Sequence, residues 1–227
     1  MGDFLYQACI FDLDGTLANT LNSIAYFANS ALTACGYSTI EVEKYRYLVG
    51  NGADKLIRRM LAAVTDSYTE EDVLRLRKTY DTLYESDTMH LVTGYDGMQE
   101  LLKALKQQNM KLAVLSNKPH NVTEEVIRNL FGNDLFDLCY GQRSQVERKP
   151  SPQGALLIAE ELGVTPKQCL YIGDTNVDMQ TGENAGMDTV GVLWGFRDRH
   201  ELEQSHAKHI VSHPSEIYTI AVCNGIN

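Results

Sequence analysis

Two carboxylates, Asp12 and Asp14, stand two residues apart directly after the apolar run Ala8-Cys9-Ile10-Phe11, and Gly15 and the hydroxyl of Thr16 follow them. Strand alternation alone would send the two carboxylates to opposite faces. A turn after Asp12 lets both converge beyond the strand end, which in a parallel α/β sheet is where ligands sit. Carboxylates held close together repel, so one pKa rises unless a cation neutralises them. Magnesium prefers hard oxygen ligands of this kind. In such a pair one carboxylate serves as metal ligand and nucleophile, the other as general acid. The same residue types also build an ordinary solvated turn, so the rest of the chain has to decide.

Three further polar clusters follow apolar strands or open helices. They are Ser116-Asn117-Lys118, Lys149 ahead of Pro150-Ser151-Pro152, and Asp174 with Asp178 one helical turn later. On a parallel sheet the strand-end clusters meet on one rim. Together they supply metal-binding carboxylates, hydroxyl and amide donors for phosphate oxygens, and a cation, which are the parts of a phosphoryl-transfer site.

The elements that must position these residues are legible as periodicity. After the first strand, residues 20 to 86 read as four helices with no strand between them, on apolar stripes such as Leu21, Ile24, Ala28, Ala31 and Leu32, or Val73, Leu76, Tyr80 and Leu83. Ser38 and Glu41 have capping-box spacing and are expected to open the second helix. From residue 94 the pattern becomes helix, strand, helix, strand. Strands are expected at Leu112–Leu115, Phe136–Tyr140, Cys169–Ile172 and Val190–Leu193, with a further one at Ile210–Val211. This predicts an α/β fold: a Rossmann-like parallel sheet core with an inserted helical-bundle domain. The lone first strand belongs with the later βα units, so residues 1–16 and 93–227 form the core and residues 17–92 the insert. A module inserted there is expected to act as a cap, with hinges near its two connections.

Composition narrows the function classes. A net charge of -10 over 227 residues argues against nucleic acid and anionic membrane as partners. A small anionic ligand stays open, because a metal or a cation cluster can reverse the field in one cleft. Cys9, Cys35, Cys139, Cys169 and Cys223 are odd in number and show no C-x-x-C spacing, which reads as thiols in a reducing compartment. No apolar stretch reaches membrane-spanning length, and the N-terminus lacks the features of a signal peptide. A cytoplasmic protein, monomer or homodimer, is expected. His200, His206, His209 and His213 read as surface residues, with Pro214 disfavouring a helix there.

The order of motifs closely resembles the haloacid dehalogenase superfamily of phosphatases. The resemblance rests on Phe11-Asp12-Leu13-Asp14-Gly15-Thr16-Leu17, Ser116-Asn117-Lys118, Lys149-Pro150 and Gly173-Asp174-Thr175-Asn176-Val177-Asp178. It implies a small helical cap and a hydrolase that works through an aspartyl phosphate. By that resemblance Asp12 is the nucleophile, Asp14 the general acid and base, and Mg2+ is bound by Asp12, the Asp14 carbonyl and Asp174. Thr16, Ser116, Asn117 and Lys149 would hold the phosphate, with Asp178 in a supporting role.

Specificity is expected in the insert. Gly50-Asn51-Gly52, with Lys55 and Arg58 behind it, is the loop to approach a substrate; it reads equally as a helix–helix turn. This run and Ser116-Asn117-Lys118-Pro119 are similar to phosphoglycolate phosphatases, so a small phosphorylated metabolite such as 2-phosphoglycolate is the expected substrate. Alternatives on the same scaffold are a sugar-phosphate mutase of the beta-phosphoglucomutase kind and a pyrophosphatase. Outside enzymes, the alternative is a phosphoaccepting signalling domain.

Overall fold

The computed structural model describes residues 6–223, the side chain of Cys223 excepted. It falls into two compact units, one running up to Asn19 and resuming at Gly94, the other spanning Thr20–Thr93. The junctions thus lie at 19/20 and 93/94, where the sequence reading set them at 16/17 and 92/93.

In the first unit, β1 (Ala8–Phe11) is buried at every position. A strand covered on both faces reads as an unbroken apolar run, which is how Ala8-Cys9-Ile10-Phe11 stands in the sequence. After β2 (Ala18–Asn19) the chain leaves for the helical unit and returns at β3 (Thr93–Gly94). In the helical unit, α1 (Leu21–Ala34), α2 (Tyr45–Leu48), α3 (Ala53–Val64) and α4 (Glu70–Ser86) follow one another. The remaining core elements are α5 (Met98–Gln107), β4 (Lys111–Pro119), α6 (His120–Phe131), β5 (Leu138–Gln142), α7 (Gln153–Glu161), β6 (Cys169–Gly173), α8 (Asn176–Asn184), β7 (Asp188–Val192), α9 (Arg199–Gln204), β8 (His209–Val211) and α10 (Pro214–Cys223).

Among the described residues the core strands form a six-stranded parallel sheet in the order β5-β4-β1-β6-β7-β8. The chain winds outward from β1 to β5 on one side, then crosses back to build β6 to β8 on the other. The winding reverses at β1, and such a reversal leaves a crevice at the carboxyl ends of the central strands. Register fixes which residues meet there: Phe11 lies beside Val114 and Ile172, so the residues after each open onto the same rim.

The sheet is held by burial. On one face Ala8, Ile10, Ala113, Leu115 and Tyr171 pack with Ile158, Ala159 and Leu162 from α7 and the residue after it. Truncating a fully buried residue such as Ile158 to Ala would cost about 2–5 kcal/mol. On the other face the Phe11 ring meets Phe136 edge-on at 6.3 Å. In the helical unit, α4 is opened by a Thr69/Asp72 capping box, and Phe27 packs edge-on against Tyr84 at 5.3 Å.

Several expectations change. Ser38 and Glu41 make no capping box; a short 3-10 turn over Val42–Lys44 leads into α2 instead. The reason is Asn29, which holds the Ile40 N–H at 2.8 Å and the Ile40 carbonyl at 2.9 Å, fixing this segment against α1. Tyr84, not Leu83, completes the buried stripe of α4. β5 begins two residues later than expected, because Phe136 packs from a loop onto Phe11 and Phe131. The helices α9 and α10 were not anticipated, and Pro214 begins α10, where its missing N–H costs no hydrogen bond. The thiols of Cys9, Cys35, Cys139 and Cys169 are free, and the side chain of Cys223 lies outside the described part. Among the described residues no helix is long and apolar enough to cross a membrane.

Candidate active site

The site begins where β1 ends. The Asp12 N–H donates to the Ile172 carbonyl at 2.9 Å, carrying the ladder one residue past the strand. The chain then turns sharply: the Leu13 carbonyl accepts from the N–H groups of Thr16, Leu17 and Ala18 at 3.2, 3.0 and 3.0 Å. Gly15 adopts φ +91°, and a Cβ there would lie 2.3 Å from Asp174 Oδ2. Only glycine allows both the left-handed backbone and this close approach.

Lys149 stands at the centre of the carboxylates. Its Nζ lies 2.7 Å from Asp12 Oδ1 and 2.7 Å from Asp178 Oδ1, with all three groups buried. The loop that carries it is clasped by Asn117 at the end of β4. Asn117 Oδ1 accepts from the Lys149 N–H at 2.9 Å, and its Nδ2 donates to the Lys149 carbonyl at 3.2 Å. Asn117 therefore orients Lys149 through its backbone. Asp178 uses its second oxygen as the cap of α8, accepting from the Thr175 N–H at 3.1 Å and the Thr175 hydroxyl at 2.7 Å.

Asp14 faces a different cation. Lys118 Nζ donates to its two oxygens at 2.8 and 3.0 Å, and Ser116 Oγ accepts from the Lys118 N–H at 3.2 Å. Thr16 is fully buried, and its hydroxyl donates to Asp174 Oδ1 at 3.2 Å. The other Asp174 oxygen accepts from the Phe196 N–H at 2.7 Å.

The electrostatics follow from burial. Burial pushes the Asp12 carboxyl up to about 7, the charge of Asp178 adding to the shift and Lys149 opposing it. Asp174 is likewise held well above the usual carboxylate range, by burial first and then by Asp178 and Asp12. Burial alone would depress the Lys149 ammonium, but the charges of Asp12 and Asp178 prevail and hold it well above its ordinary value. Lys149 is shared by Asp12 and Asp178, the buried Arg197 guanidinium acts on Asp174, and carboxylate oxygens of Asp12, Asp174 and Asp178 lie within 4.8 Å of one another. This excess of hard, buried oxygen donors over cations fits a magnesium ion.

Comparison with known proteins turns this geometry into a family. The profile of the haloacid dehalogenase-like hydrolases matches residues 9–192. The chain belongs to the haloacid dehalogenase-like hydrolase family. A phosphoglycolate phosphatase of Pseudomonas putida is 32% identical over 195 residues, covering 85% of this chain and 71% of that protein. One of Aquifex aeolicus is 32% identical over 211 residues, covering 93% and 94%. Among solved structures, a predicted phosphoglycolate phosphatase of Haemophilus somnus superposes with a TM-score of 0.90 at 29% identity, covering 96% of this chain and 99% of that one. Within the haloacid dehalogenase-like hydrolases the chain is therefore phosphoglycolate phosphatase-like, and it is a phosphatase.

The remaining residues singled out from the sequence of this hydrolase lie in the helical unit. Gly50, Asn51 and Gly52 link α2 to α3. The loop is clasped by Arg59, a residue the sequence reading passed over, which donates to the Leu48 carbonyl and to Asn51 Oδ1 at 2.8 Å each. Arg58 is bidentate to Glu70, at 2.7 Å on both arms. Lys55 is exposed on the first turn of α3. Sequence reasoning also missed the Trp194-Gly195-Phe196 segment, which contacts Asp174 through the Phe196 backbone N–H and carries no residue-type signature.

Proposed function

We propose that this protein is a magnesium-dependent phosphatase of a small phosphorylated metabolite, with 2-phosphoglycolate the leading candidate. The observation that carries the reading is Asp12, directly after β1, with its carboxylate beside Lys149 and within 4.8 Å of Asp174. Asp12 and Asp174, with the Asp14 carbonyl, would hold magnesium. The ion would supply charge neutralisation for the phosphoryl oxygens.

In the first step an Asp12 oxygen attacks phosphorus, the ester P–O bond breaks, and Asp14 delivers a proton to the leaving oxygen. In the second, Asp14 takes a proton from water as the water oxygen attacks phosphorus, releasing inorganic phosphate and restoring Asp12. Lys149 neutralises Asp12 and the transferring group in place. Asn117 acts on that group by fixing Lys149, and Asp178 by sharing it. Ser116 and the amides beside it would bind phosphate oxygens, while Thr16 steadies Asp174.

The helical insert would act as the cap that selects the substrate, with the Arg59-clasped Gly50–Gly52 loop as its recognition element. The names of the relatives support phosphoglycolate. The free thiols of Cys9, Cys35, Cys139 and Cys169, two of them buried, suit a cytoplasmic setting. Phosphate release from 2-phosphoglycolate, sugar phosphates, pyrophosphate and nucleoside monophosphates tests the substrate. Preference for 2-phosphoglycolate by kcat/KM is expected. A better sugar phosphate, or phosphoryl migration without net phosphate release, overturns it.

A further inference from the structure

Resting on the phosphatase reading, we propose that the segment 193–197 after β7 is a positioning clamp. It locks the metal-site carboxylate of Asp174 to the nucleophile turn of β1, with Trp194 and the Phe196 amide as its two contacts. Trp194 Nε1 donates to the Thr16 carbonyl at 3.0 Å. Two residues on, the Phe196 N–H donates to Asp174 Oδ2 at 2.7 Å. The ring closes through Thr16 itself, whose hydroxyl donates to Asp174 Oδ1 at 3.2 Å. One short segment thus grips the Asp14–Thr16 turn with a side chain and the Asp174 carboxylate with its backbone.

Gly195 makes the grip possible. A Cβ at this position would lie 2.3 Å from Asp174 Cβ and 2.5 Å from the Gly15 carbonyl oxygen, so no other residue allows the segment to approach. The far end is anchored as well. Arg197 Nε pairs with Glu201 Oε2 at 3.1 Å, and Glu201 Oε1 accepts from the Asn176 N–H at the start of α8 at 3.2 Å. The helix that opens two residues after Asp174 and the segment that clamps Asp174 are therefore tied through α9.

Partners of a metal ligand fix its orientation, and losing one weakens metal affinity by about 10- to 100-fold. Trp194 and the Phe196 amide donate to the Thr16 carbonyl and to Asp174, so the role proposed for them is positional. The amide cannot be removed by a side-chain change, but Trp194→Phe keeps an aromatic ring and deletes the indole donor.

The test is magnesium binding by titration calorimetry to wild type, Trp194→Phe and Gly195→Ala. It is paired with the magnesium dependence of phosphate release and the melting temperature of the metal-free proteins. Trp194→Phe is expected to bind magnesium about tenfold more weakly. The magnesium midpoint for turnover should shift equally, with KM for the ester and the metal-free melting temperature unchanged. Gly195→Ala is expected to lose more. Trp194 is the sole tryptophan, so its fluorescence in the wild type should change with the calorimetric midpoint. Wild-type magnesium affinity in Trp194→Phe overturns the clamp, as does a loss that merely tracks melting temperature. If Gly195→Ala does not fold, Trp194→Phe and the fluorescence decide. A wild type that binds no magnesium overturns the metal-dependent reading itself and the clamp with it.

Discussion

The Lys149 ammonium sits 2.7 Å from Asp12 Oδ1, across 137 residues of sequence, and both groups are buried. A buried ion pair of this kind is not chosen for stability, since desolvation offsets most of its attraction. What it provides is a carboxylate, the proposed nucleophile, whose charge is neutralised in place.

Removing the cation exposes that arrangement. Lys149→Met leaves Asp12 and Asp178 without their shared partner. It should cost about 3–5 kcal/mol in the metal-free protein, as for a buried charge stripped of its mate. Turnover should fall at least about 100-fold. Chemical denaturation with chelator and phosphate release check the two halves, and a variant of wild-type activity contradicts the role given to Lys149.

The raised Asp12 carboxyl sets a pH dependence. Its folded value is pushed by burial from 3.8 to about 7. A carboxyl raised on folding contributes stability that is present below its unfolded value and lost as pH rises through the folded one. The metal-free protein should therefore lose stability between about pH 4 and pH 7. Magnesium needs the ionised carboxylate, so it should raise the melting temperature more at about pH 8 than at about pH 5. A larger metal effect at the lower pH contradicts this.

Asn117 should behave as a positioning residue. Asn117→Ala removes both hydrogen bonds to the Lys149 backbone, at 2.9 and 3.2 Å. It should cost about 1–3 kcal/mol if the Lys149 amide is left unpaired. If its role is positional, kcat falls and KM holds. If the side chain binds phosphate directly, KM rises and the positional assignment fails.

Gly15 tests the turn. Gly15→Ala places a Cβ at φ +91° and 2.3 Å from Asp174 Oδ2. The backbone conformation alone should cost about 1–2 kcal/mol, and displacement of Asp174 should weaken magnesium binding. Calorimetry that finds wild-type affinity contradicts the role given to this contact.

These residues also show where sequence reading reaches and where it stops. Asp12 and Asp174 follow apolar runs of strand length, so parallel pairing was enough to bring them to one rim. Lys149 lies in a loop held by Asn117, which reads in sequence as a phosphate-holding residue of the Ser116-Asn117-Lys118 motif, while its two hydrogen bonds to the Lys149 backbone are visible only in the fold. Thr16 reads in sequence as a phosphate donor, and what sequence does not show is that the tight Leu13–Ala18 turn buries its hydroxyl, which donates to Asp174 Oδ1. The Trp194-Gly195-Phe196 segment was invisible, because its contacts are an indole N–H and a backbone N–H, and neither marks chemistry by residue type. Phe136 misled in the other direction, an aromatic with strand propensity that packs from a loop. Arg58 and Arg59 are neighbours of one type, and only packing shows that the first is spent on Glu70 while the second holds the loop.

The most direct test of the central claim is inorganic phosphate release from 2-phosphoglycolate and other phosphate esters by wild type and Asp12→Asn, with magnesium and with chelator. The account predicts magnesium-dependent release by the wild type, lost with chelator and lost in Asp12→Asn while the fold is retained. Undiminished release by Asp12→Asn, or no release from any ester by magnesium-loaded wild type, would contradict it.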